Sequence, residues 1–215
     1  SPFALWMARL AIDYPERLAG IDKDHDEMMG LLADKGNEHE ELFLQYLKDE
    51  YGSENVAEIT ADRKTARADT ITAMKAGHQV IFQAYLERDN FAGFADFLVR
   101  REGQSDLGDY YYEAWDTKLS KSTRPYFIVQ LCCYSWMLET LQGVVPEEAV
   151  VVLGDRTKER FRITAHYSYF HSLKKQFLSV QENFTGDKST MPDPSLETDF
   201  GAWGSYAKKL LEESD

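Results

Sequence analysis

Three strand-length apolar runs follow one another between residues 78 and 119, "HQVIFQAYL", "FAGFADFLVRR" and "YYYEAWDTKL", with only "ERDN" and "EGQSDLGD" between them. Spacers this short leave no room for a helical crossover, so the runs are expected to pair as antiparallel neighbours in a meander. The third run ends on an acid and an ammonium two residues apart. Strand alternation puts Ala114, Asp116 and Lys118 on one side and Glu113, Trp115 and Thr117 on the other, so the two opposite charges point the same way. Asp96 lies inside the second run among aromatic and aliphatic neighbours, where an unpaired carboxylate would be costly.

Helical patterns surround the meander. Residues 3–13 and about 24–51 read as helices, the second with Met28, Leu31, Leu32, Leu42, Phe43 and Leu47 as its apolar stripe. Gly36 inside it implies a close approach to the backbone, and His39 follows one turn later on the same face. Glu40 points about 100° away from His39 and is expected to be solvated. "NVAEI" reads as a short strand, and 64–76 as a helix with Ala68, Ile71 and Met74 inward. A helix over 124–143 has Pro125 in its first turn and Gly143 past its end. "EEAVVVLGD" and "ERFRI" are strands around a Gly-Asp turn, and a further helix covers 166–184. The expected class is α/β, a mixed sheet with a central antiparallel meander flanked by helices.

Residues 185–199 lose periodicity and collect Pro, Ser and Gly, and a short helix from Trp203 runs off the end without a cap. These features predict a core over 1–185 and an extended wrap with a C-terminal helix over 186–215. The absence of an initiating Met fits a piece of a longer chain. At 215 residues one well-buried domain is expected. No run approaches the roughly 18 apolar residues of a membrane span. The first residues lack the basic flank of a secretory signal. Only Cys132 and Cys133 occur, adjacent in an apolar helix, where they read as small core hydrophobes in a cytoplasmic protein. A net charge of -13 disfavours general affinity for nucleic acid, yet total charge says little about one cleft, and a divalent cation would invert its local field.

The chemistry is expected where the meander collects its acids. Carboxylates of Asp96 and Asp116 on neighbouring strands can hold Mg²⁺ or Mn²⁺, hard ions that take oxygen ligands, and the Thr117 carbonyl can add another. Lys118 beside the ion would orient an attacking water and offset charge on a phosphorane, which suits phosphodiester hydrolysis. Glu113 faces the other way and reads as a rim or second-face acid. Lys121 and Arg124, with Arg100 and Arg101, could supply a positive lip for phosphates. His166 and His171, five apart, do not share a helical face, so no second metal site is read from them.

The order of these parts, a helix with Gly36 and His39, then "GFAD", "WDTK" and a helix opening "QLCCY", resembles the RecB-like branch of the PD-(D/E)xK nuclease superfamily. More closely, "KGNEHEELFLQYL", "GFADFLVR", "YEAWDTKLSKSTRP", "IVQLCCYSWMLETLQG" and "VVLGD" look like a bacterial family of RecB-like nucleases typified by a Thermotoga protein, over about residues 1–200. The resemblance implies a restriction-endonuclease-like sheet, with His39 and Asp96 as metal ligands, Asp116 as the shared metal carboxylate and Lys118 as the catalytic lysine. It implies that Gln130 and Tyr134 face the site and hold the nucleic-acid backbone. The implied activity is a Mg²⁺- or Mn²⁺-dependent deoxyribonuclease acting on single-stranded DNA or duplex ends in repair or defence, alongside a helicase partner or fused domain. A catalytically silent binding module and an RNA-directed nuclease are the alternatives. Relatives of this type often carry an iron-sulfur cluster on one early and three late cysteines; here "SLETDFGAWGSYAKKL" keeps Trp203 but no Cys, so no cluster is expected.

Overall fold

The computed structural model describes residues 1–21, 23–24, 27–60 and 62–214. His25 lies outside them, as does the side chain of Met28, so the stripe expected from Met28 is described only from Leu31 onward. The chain divides into two compact units, one of residues 32–174 and one of residues 1–31 with 175–215. The division therefore falls elsewhere than at residue 185, because the N-terminal helix packs with the C-terminal segment.

In the larger unit a six-stranded mixed sheet runs in sequence order: β1 (Val56–Glu58), β2 (Val80–Arg88), β3 (Phe91–Ser105), β4 (Gly108–Thr117), β5 (Glu148–Val152) and β6 (Lys158–Arg162). The meander β2–β3–β4 is antiparallel. The polar segment expected as a loop between its last two strands is mostly strand, closing in a tight turn at Ser105↔Gly108. The links β1–β2 and β4–β5 are parallel. Parallel neighbours need a crossover, which α3 (Arg63–Ala76) and α4 (Pro125–Gln142) supply. Pro125 starts α4, where a missing N–H costs nothing, and Gly143 ends it in the left-handed conformation.

Each face of the sheet buries its own core. Phe43, Leu44 and Leu47 of α2 (Glu27–Tyr51) pack on Val80, Phe97, Val99, Trp115 and Val150. The opposite face carries α3, α4 and the start of α5 (Ile163–Glu182) through residues such as Met74, Leu131, Leu138 and Phe170. The inward stripe of α2 differs from the one expected: Leu31, Leu32 and Leu42 are exposed, and Leu44 joins Phe43 and Leu47 inside. On α3, Ala66, Thr70, Ala73 and Met74 face inward while Ala68 is exposed, because Thr70 Oγ1 accepts the Tyr85 N–H at 3.0 Å. Nothing approaches within 4 Å of where a Cβ on Gly36 would sit, so that glycine does not mark a close contact.

In the smaller unit, Phe3, Trp6, Met7 and Leu10 of α1 (Pro2–Asp13) bury against Trp203 and against Ala207 of α6 (Gly204–Ser214). Glu197 accepts the Phe3 N–H at 2.9 Å, satisfying an orphan donor at the first turn of α1. The terminal segments are thus joined by apolar burial. Among the described residues no helix is long and apolar enough to cross a membrane.

Candidate active site

β3 and β4 pair from Glu102↔Tyr110 to Phe97↔Trp115, and beyond that rung they part. The last residues of β4, Asp116 and Thr117, pair with Val151 and Val152 of β5 instead. Asp96 fills the fork that opens. Its Oδ2 accepts the Thr117 N–H at 2.7 Å and the Thr117 hydroxyl at 2.9 Å, taking the place a strand backbone would have held. The opposite side of β3 is also irregular. Gln83 in β2 has φ +53°, a left-handed value rare outside glycine, and the rung it would make with Asp96 is missing between Phe82↔Phe97 and Ala84↔Ala95. From this kink its amide donates to Glu40 of α2.

Asp116 is 0 % exposed. Lys118 Nζ lies 2.6 Å from its Oδ2 as an ion pair, and apart from that ammonium neither carboxylate oxygen has a hydrogen-bond partner among the described residues. Burial, then the charge of Asp96, pushes the Asp116 carboxyl up to about 7, against the pull of Lys118. Asp96 is raised by burial too, with the Thr117 N–H and Lys118 opposing. Glu40 behaves alike: burial first, then the charge on Asp96, lifts it to about 7 while the Gln83 bond works the other way. Three carboxyls therefore share one desolvated, mutually repelling neighbourhood with a single lysine, an arrangement that stores protons near neutral pH and would be relieved by a cation.

Glu40 was expected to be solvated; it is half-buried and sits among these acids. It falls one turn before Phe43, Leu44 and Leu47, so the inward rotation of the stripe carries it to the sheet. The signal in the sequence was that i, i+3, i+4, i+7 set. His39 is half-buried with its Nε2 closed off and without a hydrogen-bond partner. Among the described residues no three His, Cys, Asp or Glu side chains converge as a ready-made metal cage, so the expected set of His39, Asp96 and Asp116 is not assembled as one.

Gln130 and Tyr134 stand together on α4. The Gln130 amide donates to the Tyr134 hydroxyl at 3.1 Å, which donates to the Phe94 carbonyl at 2.7 Å. Tyr134 thus pins β3 two residues before Asp96, and burial, with the Asp116 and Asp96 charges adding, pushes its phenol to about 12. Lys121 and Arg124 are exposed on the loop between β4 and α4. The same loop is pressed against the β5–β6 turn: Gly154 N–H reaches Ser120 O at 3.2 Å, and a Cβ on Gly154 would stand 2.8 Å from Leu119 O.

Arg100 and Arg101 do not join that lip. Arg100 lies over Tyr110 and donates to Gly77 O at 3.2 Å. Arg101 bonds Glu113 at 2.7 Å. Glu113 is no rim acid: it is 2 % exposed, and besides Arg101 it accepts from Trp115 Nε1 at 2.7 Å and from Arg160 at 3.2 Å. Two guanidiniums, one from the neighbouring β3 and one from β6 two strands away, make its burial tolerable.

A scan of protein-family models and a search of curated proteins both found no match to this chain.

Proposed function

We propose that the chain is a divalent-metal-dependent nuclease that hydrolyses DNA phosphodiester bonds, on single strands or duplex ends. The observation that carries the reading is the fork between β3 and β4, where Asp96, the fully buried Asp116 and Lys118 come together with Glu40 electrostatically coupled to them. The residues suit a hard cation: among the described residues the oxygens of Asp116 have no donor other than an ammonium, and burial raises all three carboxyls, with the Asp96 charge adding for Asp116 and Glu40. The resemblance in residue order to RecB-like nucleases supports it independently.

Mg²⁺ or Mn²⁺ held by Asp96 and Asp116, with the Thr117 carbonyl as a further oxygen at the same strand end, would lower the pKa of a bound water and neutralise phosphoryl charge; His39 enters this set only by the resemblance, since the described residues do not gather it with the two acids. Lys118 donates to the developing phosphorane oxygens, where an ammonium in a poorly solvated site stabilises charge more than it would in water. Departure of the 3′ oxygen, protonated by water, leaves a 3′-hydroxyl and a 5′-phosphate, and Glu40, electrostatically coupled to Asp96, adds a further carboxyl to the same neighbourhood. Gln130 and Tyr134 fix β3 and hence the Asp96 carboxylate, and Lys121 and Arg124 attract the strand. A cytoplasmic setting beside a helicase is the context such an activity suits.

The test is direct. Labelled single-stranded and duplex DNA and RNA are incubated with Mn²⁺ or Mg²⁺ and wild type, Asp96→Asn or Lys118→Ala. Cleavage by wild type alone is expected, with DNA preferred; equal degradation by all three proteins would sink the assignment. The second reading is a catalytically silent nuclease-fold binding module, which strand binding without cutting would select.

A further inference from the structure

We propose that a cleft between the start of α4, strand β6 and the first turns of α5 receives a nucleobase turned out of a single strand whose phosphates lie along the 118–124 loop. The cleft has a volume of about 460 Å³, within the roughly 300–1,000 Å³ of small-molecule sites. Ile128, Val129 and Cys132 form an aliphatic floor, and Phe161 and Tyr169 add aromatic faces. Tyr169 is 61 % exposed at the cleft. The edges are polar: Glu159 accepts, Arg124 donates, His166 can do either, and Thr123 Oγ1 is buried without a partner.

Each ligand class can be weighed against that lining. A lipid or aliphatic group would leave Glu159, Arg124 and His166 desolvated and unserved. A bare phosphate would waste the floor and be repelled by Glu159. A flat heterocycle with donors and acceptors around its rim uses both parts, stacking on a ring and bonding at its edge.

The source of the base follows from the loop. "KLSKSTR" carries Lys118, Lys121 and Arg124 and no acid, in a chain otherwise strongly negative. One end of it is in the candidate active site, where Lys118 Nζ also lies 5.4 Å from the Phe127 ring; the other end, Thr123 and Arg124, is a wall of the cleft. A strand following these cations would bring a neighbouring base to the opening. Duplex bases are paired and stacked, so the cleft selects unpaired strands or frayed ends. The inference rests on the nuclease reading for the presence of a strand, and adds where its base goes.

Anisotropy with a short fluorescein-labelled phosphorothioate oligothymidylate, and with an abasic strand of the same length and charge, tests it. Tyr169→Ala is expected to weaken oligothymidylate binding roughly 5- to 100-fold while leaving the abasic strand unchanged. Tyr169→Phe should bind as wild type. Equal losses for both strands, no loss, or no binding of either strand would overturn the proposal. Thymidine monophosphate competing as tightly as the oligomer would assign the cleft to free nucleotides and overturn it as well. Parallel Mn²⁺ cleavage of the unmodified strand separates the two ideas: Tyr169-dependent binding without cleavage removes the hydrolase reading and keeps the cleft, whereas cleavage with Tyr169-insensitive binding does the reverse.

Discussion

Replacing Asp116 by Asn should make the metal-free protein more stable at pH 8. The wild-type carboxyl is raised from an ordinary 3.8 to about 7 by burial and by Asp96, with the attraction of Lys118 already included. A raised acid binds more protons folded than unfolded between these two values. Stability therefore falls as pH rises through that window, and the loss is complete above about 7. Three units at about 1.4 kcal/mol each set a ceiling of about 4 kcal/mol. Asp96 shares the repulsion and keeps part of it, so a gain of about 2–3 kcal/mol is expected for the Asn variant at pH 8. Lys118, 24 % exposed, can turn to water when its partner is neutral. Urea unfolding in EDTA, with an m-value of about 1–3 kcal/mol/M, would read this as a midpoint raised by about 1–2 M at pH 8 and little changed near pH 4. A variant no more stable than wild type at pH 8, or equally shifted at both pH values, would refute the claim that Asp116 is an uncompensated buried acid.

Adding Mn²⁺ should reverse the order, raising the melting temperature of wild type by mass action and that of Asp116→Asn much less; no shift in a thermal melt would count against a cation at the fork. Gln142 is 0 % exposed and satisfies Tyr112 N, Tyr112 O and Val144 O, so Gln142→Leu is expected to cost about 2–4 kcal/mol in urea unfolding. Glu113→Ala strands Trp115 Nε1 and two guanidiniums and should cost about 3–5 kcal/mol, read as a lowered urea midpoint. Gly154→Ala drives a Cβ to 2.8 Å from Leu119 O; it should displace the Lys118 loop and lower cleavage more than stability, as paired activity and melting measurements would reveal.

The meander was legible because three alternating runs with short spacers admit one arrangement, and Asp96, Asp116 and Lys118 meet because alternation and a short loop bring them there. Glu40 was misread and the full burial of Glu113 went unseen for a common reason. A helix position or a strand face is inward only relative to a neighbour, and the sequence does not say which side α2 turns to the sheet or that Arg160, on a strand two places away in the sheet, returns to Glu113. The Gln83 kink has no local mark, since glutamine is not a residue that favours positive φ; it coincides with the rung missing opposite Asp96 and with the side-chain bond to Glu40. The union of α1 with α6 rests on Trp6, Phe3 and Trp203, residues far apart in the chain whose contact no local periodicity encodes.

Because the Asp96 carboxylate stands in for strand backbone at Thr117, the wedge between β3 and β4 is a side chain and can be withdrawn. Trimming it to a methyl would invite the two strands to zip shut past Phe97 and Trp115, so a dead alanine variant would report on a collapsed gap as much as on a missing ligand. An asparagine there keeps the wedge and removes only the charge, and it is the cleaner instrument for asking what the charge does.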